Sequence, residues 1–165
     1  MTSLTFTGNP VHTVGELPQK GSPLPDAMLV TADLADLSLS SLRGKRVVVS
    51  IFPSIDTDVC AASVRRFNEA AAGLPDTVVV CVSKDLPFAL GRFCAAEGID
   101  NVTPASAFRS DFGDVFGCQM TDGPLAGLLS RAVVIADADG KVIYTQQVEE
   151  VTTEPDYDAA LAALK

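Results

Sequence analysis

VVVSIFPSIDTDVC, residues 47–60, decides the architecture. Its first six residues form a nearly continuous apolar run, the pattern of a central strand buried on both faces. Pro53 ends that strand, because proline brings no N–H to a sheet ladder. Asp56, Thr57 and Asp58 are helix-capping residue types, so a helix is expected to begin near Thr57 or Asp58. Cys60, Val64, Phe67 and Ala71 then recur at helical spacing and mark the buried stripe. Arg65, Arg66, Asn68 and Glu69 occupy the other sides, and Gly73 and Pro75 stop the helix. The stretch is a strand, a sharp turn and a helix, with a cysteine in the helix's first turn.

Working outward, the same grammar repeats. TVVVCVS (77–83) is a second buried strand. Asp85 and Pro87 open a second helix that runs to a glycine cap at Gly98. Strand-like segments follow near Val102–Pro104 and at RAVVIAD (131–137), and Asp139-Gly140 turns the chain into KVIYTQQV (141–148). A last helix is expected from about Thr153-Glu154-Pro155, burying Tyr157, Ala160, Leu161 and Leu164. On the N-terminal side, LTFT and VHTV read as a hairpin turning at Gly8-Asn9. Residues 15–26 form a proline-rich loop, a short strand lies near 28–31, and a turn runs through Leu37–Arg43. Alternating buried strands and helices define an α/β class with helices on both faces of a mixed sheet. The order matches a thioredoxin-like architecture extended by an N-terminal β-hairpin, and residues 1–165 are expected to form one domain.

Composition narrows the chemistry. The net charge of −9 repels phosphate backbones and argues against nucleic-acid binding. No apolar run is long enough to span a membrane, and the N-terminus carries no secretory signature, so a cytoplasmic location is expected. The chain has four cysteines, Cys60, Cys81, Cys94 and Cys118, and a single histidine, His12. No two cysteines form a C-x-x-C pair, which counts against a thioredoxin-like disulfide exchanger. With one histidine in a hairpin, a Cys-His dyad fits poorly. An active cysteine here needs its thiolate stabilised by something other than imidazole.

Cys60 occupies the position where open α/β sheets build their sites, beyond the end of a strand and inside a helix N-terminus. Unpaired N–H groups and the helix dipole both favour negative charge there. The flanking aspartates look adverse, but as caps they can turn away from the sulfur. Arg131 begins a later core strand and could reach the same sheet end as an added cation. By position alone, a small buried apolar role for Cys60 remains equally open.

FPSIDTDVCAASVRRFN resembles the active-site segment of peroxiredoxins of the thiol peroxidase subfamily, whose signature P-x-x-x-T-x-x-C is met by Pro53, Thr57 and Cys60. The similarity extends through GNPV, GKRVVVSIFPSIDT, SKDLPFALGRFCAAEG, NVTPASAFR, DGPLAGLLSRAVVI and TTEPDYDAALAALK. The resemblance implies that Cys60 is the peroxidatic cysteine and becomes a sulfenic acid. It implies that Thr57 hydrogen-bonds sulfur and peroxide, that Arg131 stabilises developing charge, and that Pro53 shields the sulfur. Asp58 receives no catalytic role. Cys94 corresponds to the resolving cysteine, which would close an intrachain Cys60–Cys94 disulfide after local unwinding. Further implications are hydrogen peroxide and organic hydroperoxides as substrates, thioredoxin or a similar dithiol protein as reductant, a homodimer, and no cofactor or metal. A peroxidase in which Cys94 is only structural, and a slow redox sensor, are the rival readings.

Cys81, inside a buried strand, reads as an inert thiol. Cys118 departs from the family pattern and reads as inert, with a second resolving role the alternative. Asp111-Phe112-Gly113 and Asn101-Val102-Thr103 are look-alikes of a kinase motif and a glycosylation sequon that lack their context. Phe108, Phe112 and Phe116 form a helical stripe read as core.

Overall fold

The computed structural model describes residues 2–164. Among these, a two-stranded antiparallel hairpin, β1 (Ser3–Phe6) and β2 (Asn9–His12), stands before a seven-stranded mixed sheet. The sheet is built from β3 (Met28–Thr31), β4 (Asp36–Ser38), β5 (Arg46–Ile51), β6 (Thr77–Ser83), β7 (Thr103–Ser106), β8 (Ala132–Ala136) and β9 (Val142–Gln147). Their spatial order is β4-β3-β7-β6-β5-β8-β9. The helices are α1 (Asp58–Ala71), α2 (Pro87–Glu97), α3 (Phe112–Val115) and α4 (Tyr157–Ala162).

The apolar run at 47–52 lies at the heart of this sheet. β5 pairs in parallel with β6 and antiparallel with β8, with Ile51 opposite both Val82 and Ala132. The end of β5 therefore meets the end of β6 and the start of β8 at one edge of the sheet. Alternation assigns Val47, Val49 and Ile51 to one core and Val48 to the other. The second core joins Cys60, Val64 and Phe67 of α1, Leu90 of α2, Val133 and Ile135 of β8, and Ala160 of α4. Three helices thus share one face. The opposite face is closed by α3 with Phe112 and Phe116, and by a 3-10 turn (Leu39–Leu42). Both faces carry helix, as the class demands, but unequally.

Several local expectations shift. The hairpin turns at Thr7-Gly8, because Phe6 pairs with Asn9, and both turn residues have positive φ, 49° and 84°. That sign pattern suits the right-handed twist of the strands. The supposed turn through Leu37–Arg43 begins as β4, which pairs with β3 through Met28 and Ser38. The strand near 102–104 falls at Thr103–Ser106, and α4 starts later than expected, capped by the Asp156 side chain accepting from the Ala159 N–H at 3.0 Å. The phenylalanine stripe splits: Phe112 and Phe116 stack at 4.2 Å in the core, whereas Phe108 is exposed. Gly98 ends α2 at φ 65°, a conformation costly for any residue with a Cβ.

Candidate active site

Pro53, at the end of β5, is buried, and residues 54–57 carry the chain into α1. This turn is fastened from the neighbouring strand. Asp85, just beyond β6, accepts from the Ser54 hydroxyl at 2.8 Å, the Ile55 N–H at 2.7 Å and the Ser83 hydroxyl at 2.6 Å. Thr57 is the N-cap of α1; its Oγ1 accepts from the Cys60 N–H at 3.4 Å and donates to the Ser54 carbonyl at 3.1 Å. Cys60 is thus the third residue of α1, within the dipole's reach.

Cys60 is fully buried and is a free thiol. Arg131, immediately before β8, is 3% exposed and directs Nη1 to Cys60 Sγ at 3.3 Å. Its Nε donates to the Val151 carbonyl at 2.8 Å. Its own carbonyl accepts from Gln147 Nε2 at 2.9 Å and from the Val148 N–H at 3.0 Å. A buried guanidinium so held is oriented before any substrate arrives. Helix dipole and guanidinium both set positive charge against the sulfur. Asp56 is turned outward to Arg92, at 3.2 Å.

Above this pair lies a cleft of about 190 Å³. Pro53, Thr57 and Arg131 line it at one end, and Phe6, Leu125 and Leu128 supply apolar walls. Four of the five residues singled out from the sequence, Pro53, Thr57, Cys60 and Arg131, therefore converge. The fifth, Cys94, does not join them. It is half-buried in α2, a free thiol whose ionisation is opposed by burial. Its electrostatic neighbour is Cys81 on β6, whose own ionisation is opposed by burial and then by Cys94. Cys60 meanwhile addresses Arg131, on the other side of β5.

Sequence reasoning missed Asp85 as a fastener, having assigned it only a helix-start role; its place at the carboxyl end of a parallel strand was the available signal. It also missed the hairpin as a wall of the cleft, through Phe6. Among the described residues, no cluster of histidine, cysteine and carboxylate side chains could hold a metal ion, and no helix is long and apolar enough to cross a membrane.

A search of protein families matches the Redoxin family over residues 19–161. The chain is 58% identical over 164 residues to a thiol peroxidase of Corynebacterium glutamicum, covering 99% of each. It is 57% identical to one of Mycobacterium tuberculosis, again covering 99% of each. Among solved structures, a peroxiredoxin-like protein from Aquifex aeolicus superposes with a TM-score of 0.93 at 40% identity, covering 99% of this chain and 96% of that one. A thiol peroxidase from Chromobacterium violaceum gives 0.87 at 27% identity, covering 98% and 94%. The chain belongs to the redoxin family, in the thiol peroxidase branch of the peroxiredoxins.

Proposed function

We propose that this peroxiredoxin reduces hydroperoxides at Cys60, and the observation that carries the reading is the Arg131 Nη1 to Cys60 Sγ contact at 3.3 Å beneath the cleft. The Cys60 thiolate attacks the terminal peroxide oxygen. The O–O bond breaks, the departing alkoxide or hydroxide takes a proton to become alcohol or water, and the sulfur is left as sulfenic acid. Charge moves from sulfur to oxygen in this step; Arg131 and the helix N-terminus are already aimed at it, and Thr57 turns its hydroxyl proton from the Ser54 carbonyl to the peroxide. Pro53 keeps bulk water from the sulfur. The apolar walls Phe6, Leu125 and Leu128 favour organic hydroperoxides alongside hydrogen peroxide.

Cys94 then resolves the sulfenic acid. Its thiolate attacks Cys60 sulfur and expels hydroxide, which leaves as water, and a Cys60–Cys94 disulfide remains. A dithiol protein, thioredoxin or similar, supplies the two electrons and two protons that restore both thiols. Because Cys60 addresses Arg131 and Cys94 lies beside Cys81, the first turn of α1 and the Cys94 segment must rearrange to bring the Cα atoms within about 7 Å. The working form is a homodimer in the cytoplasm.

The test is peptide mapping without reductant, after one equivalent of hydrogen peroxide and thiol blocking. A Cys60–Cys94 link with Cys81 and Cys118 blocked as free thiols is the expected result. Cys60 recovered as sulfenic or sulfinic acid beside a free Cys94 would support the one-cysteine peroxidase instead.

A further inference from the structure

The guanidinium that meets Cys60 is itself held by a backbone carbonyl, that of Val151. Val151 lies outside the sheet, in the segment between β9 and α4. Its position depends on what fastens that segment.

The fastening is unusually dense. The Glu150 carboxylate accepts from the Thr5 hydroxyl at 3.0 Å, the Thr7 N–H at 3.2 Å and the Gly8 N–H at 2.9 Å. It also accepts from the Thr152 N–H at 2.9 Å and the Thr152 hydroxyl at 2.7 Å. Next to it, the Val151 N–H donates to the Thr5 carbonyl at 2.9 Å, and the Thr5 N–H donates to the Glu149 carbonyl at 2.8 Å. None of the five carboxylate donors is a cation, and among the described residues Glu150 has no ion-pair partner. A single side chain thus joins the N-terminal hairpin to both sides of the carbonyl that holds Arg131.

We infer that Glu150 is a positioning residue for the peroxidatic step, acting through Val151 and Arg131 on Cys60. It touches neither sulfur nor the cleft. Its carboxylate, with the hairpin's donors, fixes the Val151 carbonyl, and that carbonyl fixes the plane of the guanidinium. Displacement of such a support by about 1 Å can cost large factors in rate. The hairpin then has a mechanical role beyond lending Phe6 to the cleft wall.

This inference rests on the peroxidase reading, and the experiment separates the two. Single-turnover oxidation of the reduced protein by hydrogen peroxide is measured for wild type, Glu150→Ala and the milder Thr5→Val, which removes one carboxylate donor away from the cleft, each alone and combined with Arg131→Met. Circular dichroism and thermal melts confine the comparison to folded protein. Glu150→Ala is expected to slow oxidation about tenfold, Thr5→Val by less, and both to be silent once Arg131 is methionine. A merely structural residue would slow both backgrounds alike, and that result overturns the inference, as does an unchanged rate in both folded single variants. An Arg131→Met variant as fast as wild type overturns the inference alone, whereas a wild type that reacts no faster than an ordinary free thiol removes the peroxidase reading and this inference with it.

Discussion

Arg131 and Cys60, 71 residues apart in the chain, meet through Nη1 and Sγ at 3.3 Å, both of them buried. The same guanidinium spends its Nε on the Val151 carbonyl. Lysine has one ammonium and cannot make both contacts in this geometry. Arg131→Met is expected to lower the peroxide rate constant by about 100-fold or more, with Arg131→Lys recovering little of it. Stopped-flow oxidation checks this, and full activity in the lysine variant would sink the two-contact account.

Thr57 caps the helix with the same hydroxyl that the proposed mechanism uses. Thr57→Val is expected to cost about 1 kcal/mol of stability as a lost N-cap, and to slow peroxide oxidation as well. Thr57→Ser is expected to restore both. Urea unfolding beside single-turnover kinetics would reveal a variant in which the two effects separate.

Two exposed ion pairs, with α2 residues on either side of Cys94, tie α2 to α1 and to the turn before it. Arg92 meets Asp56 at 3.2 Å, and Arg65 meets Glu97 at 2.8 Å. If disulfide closure requires these segments to move, releasing the pairs should assist it. The double variant Asp56→Asn, Glu97→Gln is expected to close the disulfide about two- to fivefold faster, since exposed pairs are individually weak. Quenched-flow trapping measures the rate, and added salt is expected to push wild type the same way. A slower double variant would mean that the pairs hold Cys94 ready and do not restrain it.

Cys81 and Cys118 are expected to resist alkylation in the native protein. Burial opposes thiolate formation at Cys81, and it pushes Cys118 up to about 12. Iodoacetamide with mass spectrometry should label these two positions only after denaturation. Rapid native labelling of Cys118 would reopen its role as a second resolving thiol.

Glu150 predicts a pH signature in stability. Donors from Thr152, Gly8 and Thr5 pull its carboxyl from the ordinary 4.5 down to about 2. A lowered folded-state value favours folding above the ordinary value, and the advantage disappears as pH falls through the lower one. The melting temperature of wild type over Glu150→Gln should therefore differ most above pH 4.5 and converge toward pH 2. A difference that stayed constant across that range would show that packing, not charge, distinguishes the variants.

Much of this site is legible in the sequence because it is local. Pro53, Thr57 and Cys60 lie within one strand-turn-helix unit, where strand and helix periods fix their side. Arg131 is legible as the first residue of a core strand, and the family resemblance sharpens its role. The supports are not legible in that way. Asp85 reaches Ile55 across 30 residues, and Glu150 reaches Gly8 across 142. No local period encodes such hydrogen bonds; they exist only once β5, β6 and the hairpin have found their register. Short elements fail for a related reason: β4 and α3 span three and four residues, too few for a period to declare itself.

The antiparallel pairing of β5 with β8 gives the molecule two unlike poles. At one, Ile51 faces Ala132 and the cleft-lining residues Pro53 and Arg131 gather; at the other, Val47 faces Ala136, and the turns at 73–75 and Asp139-Gly140 line no part of the cleft. A tag, a dye or a surface linkage at Asp139 would leave the cleft unobstructed. The same cargo on the hairpin would pull on the bonds that aim Arg131. The fold thus offers a handle at one end for immobilising the protein, and withholds one at the other.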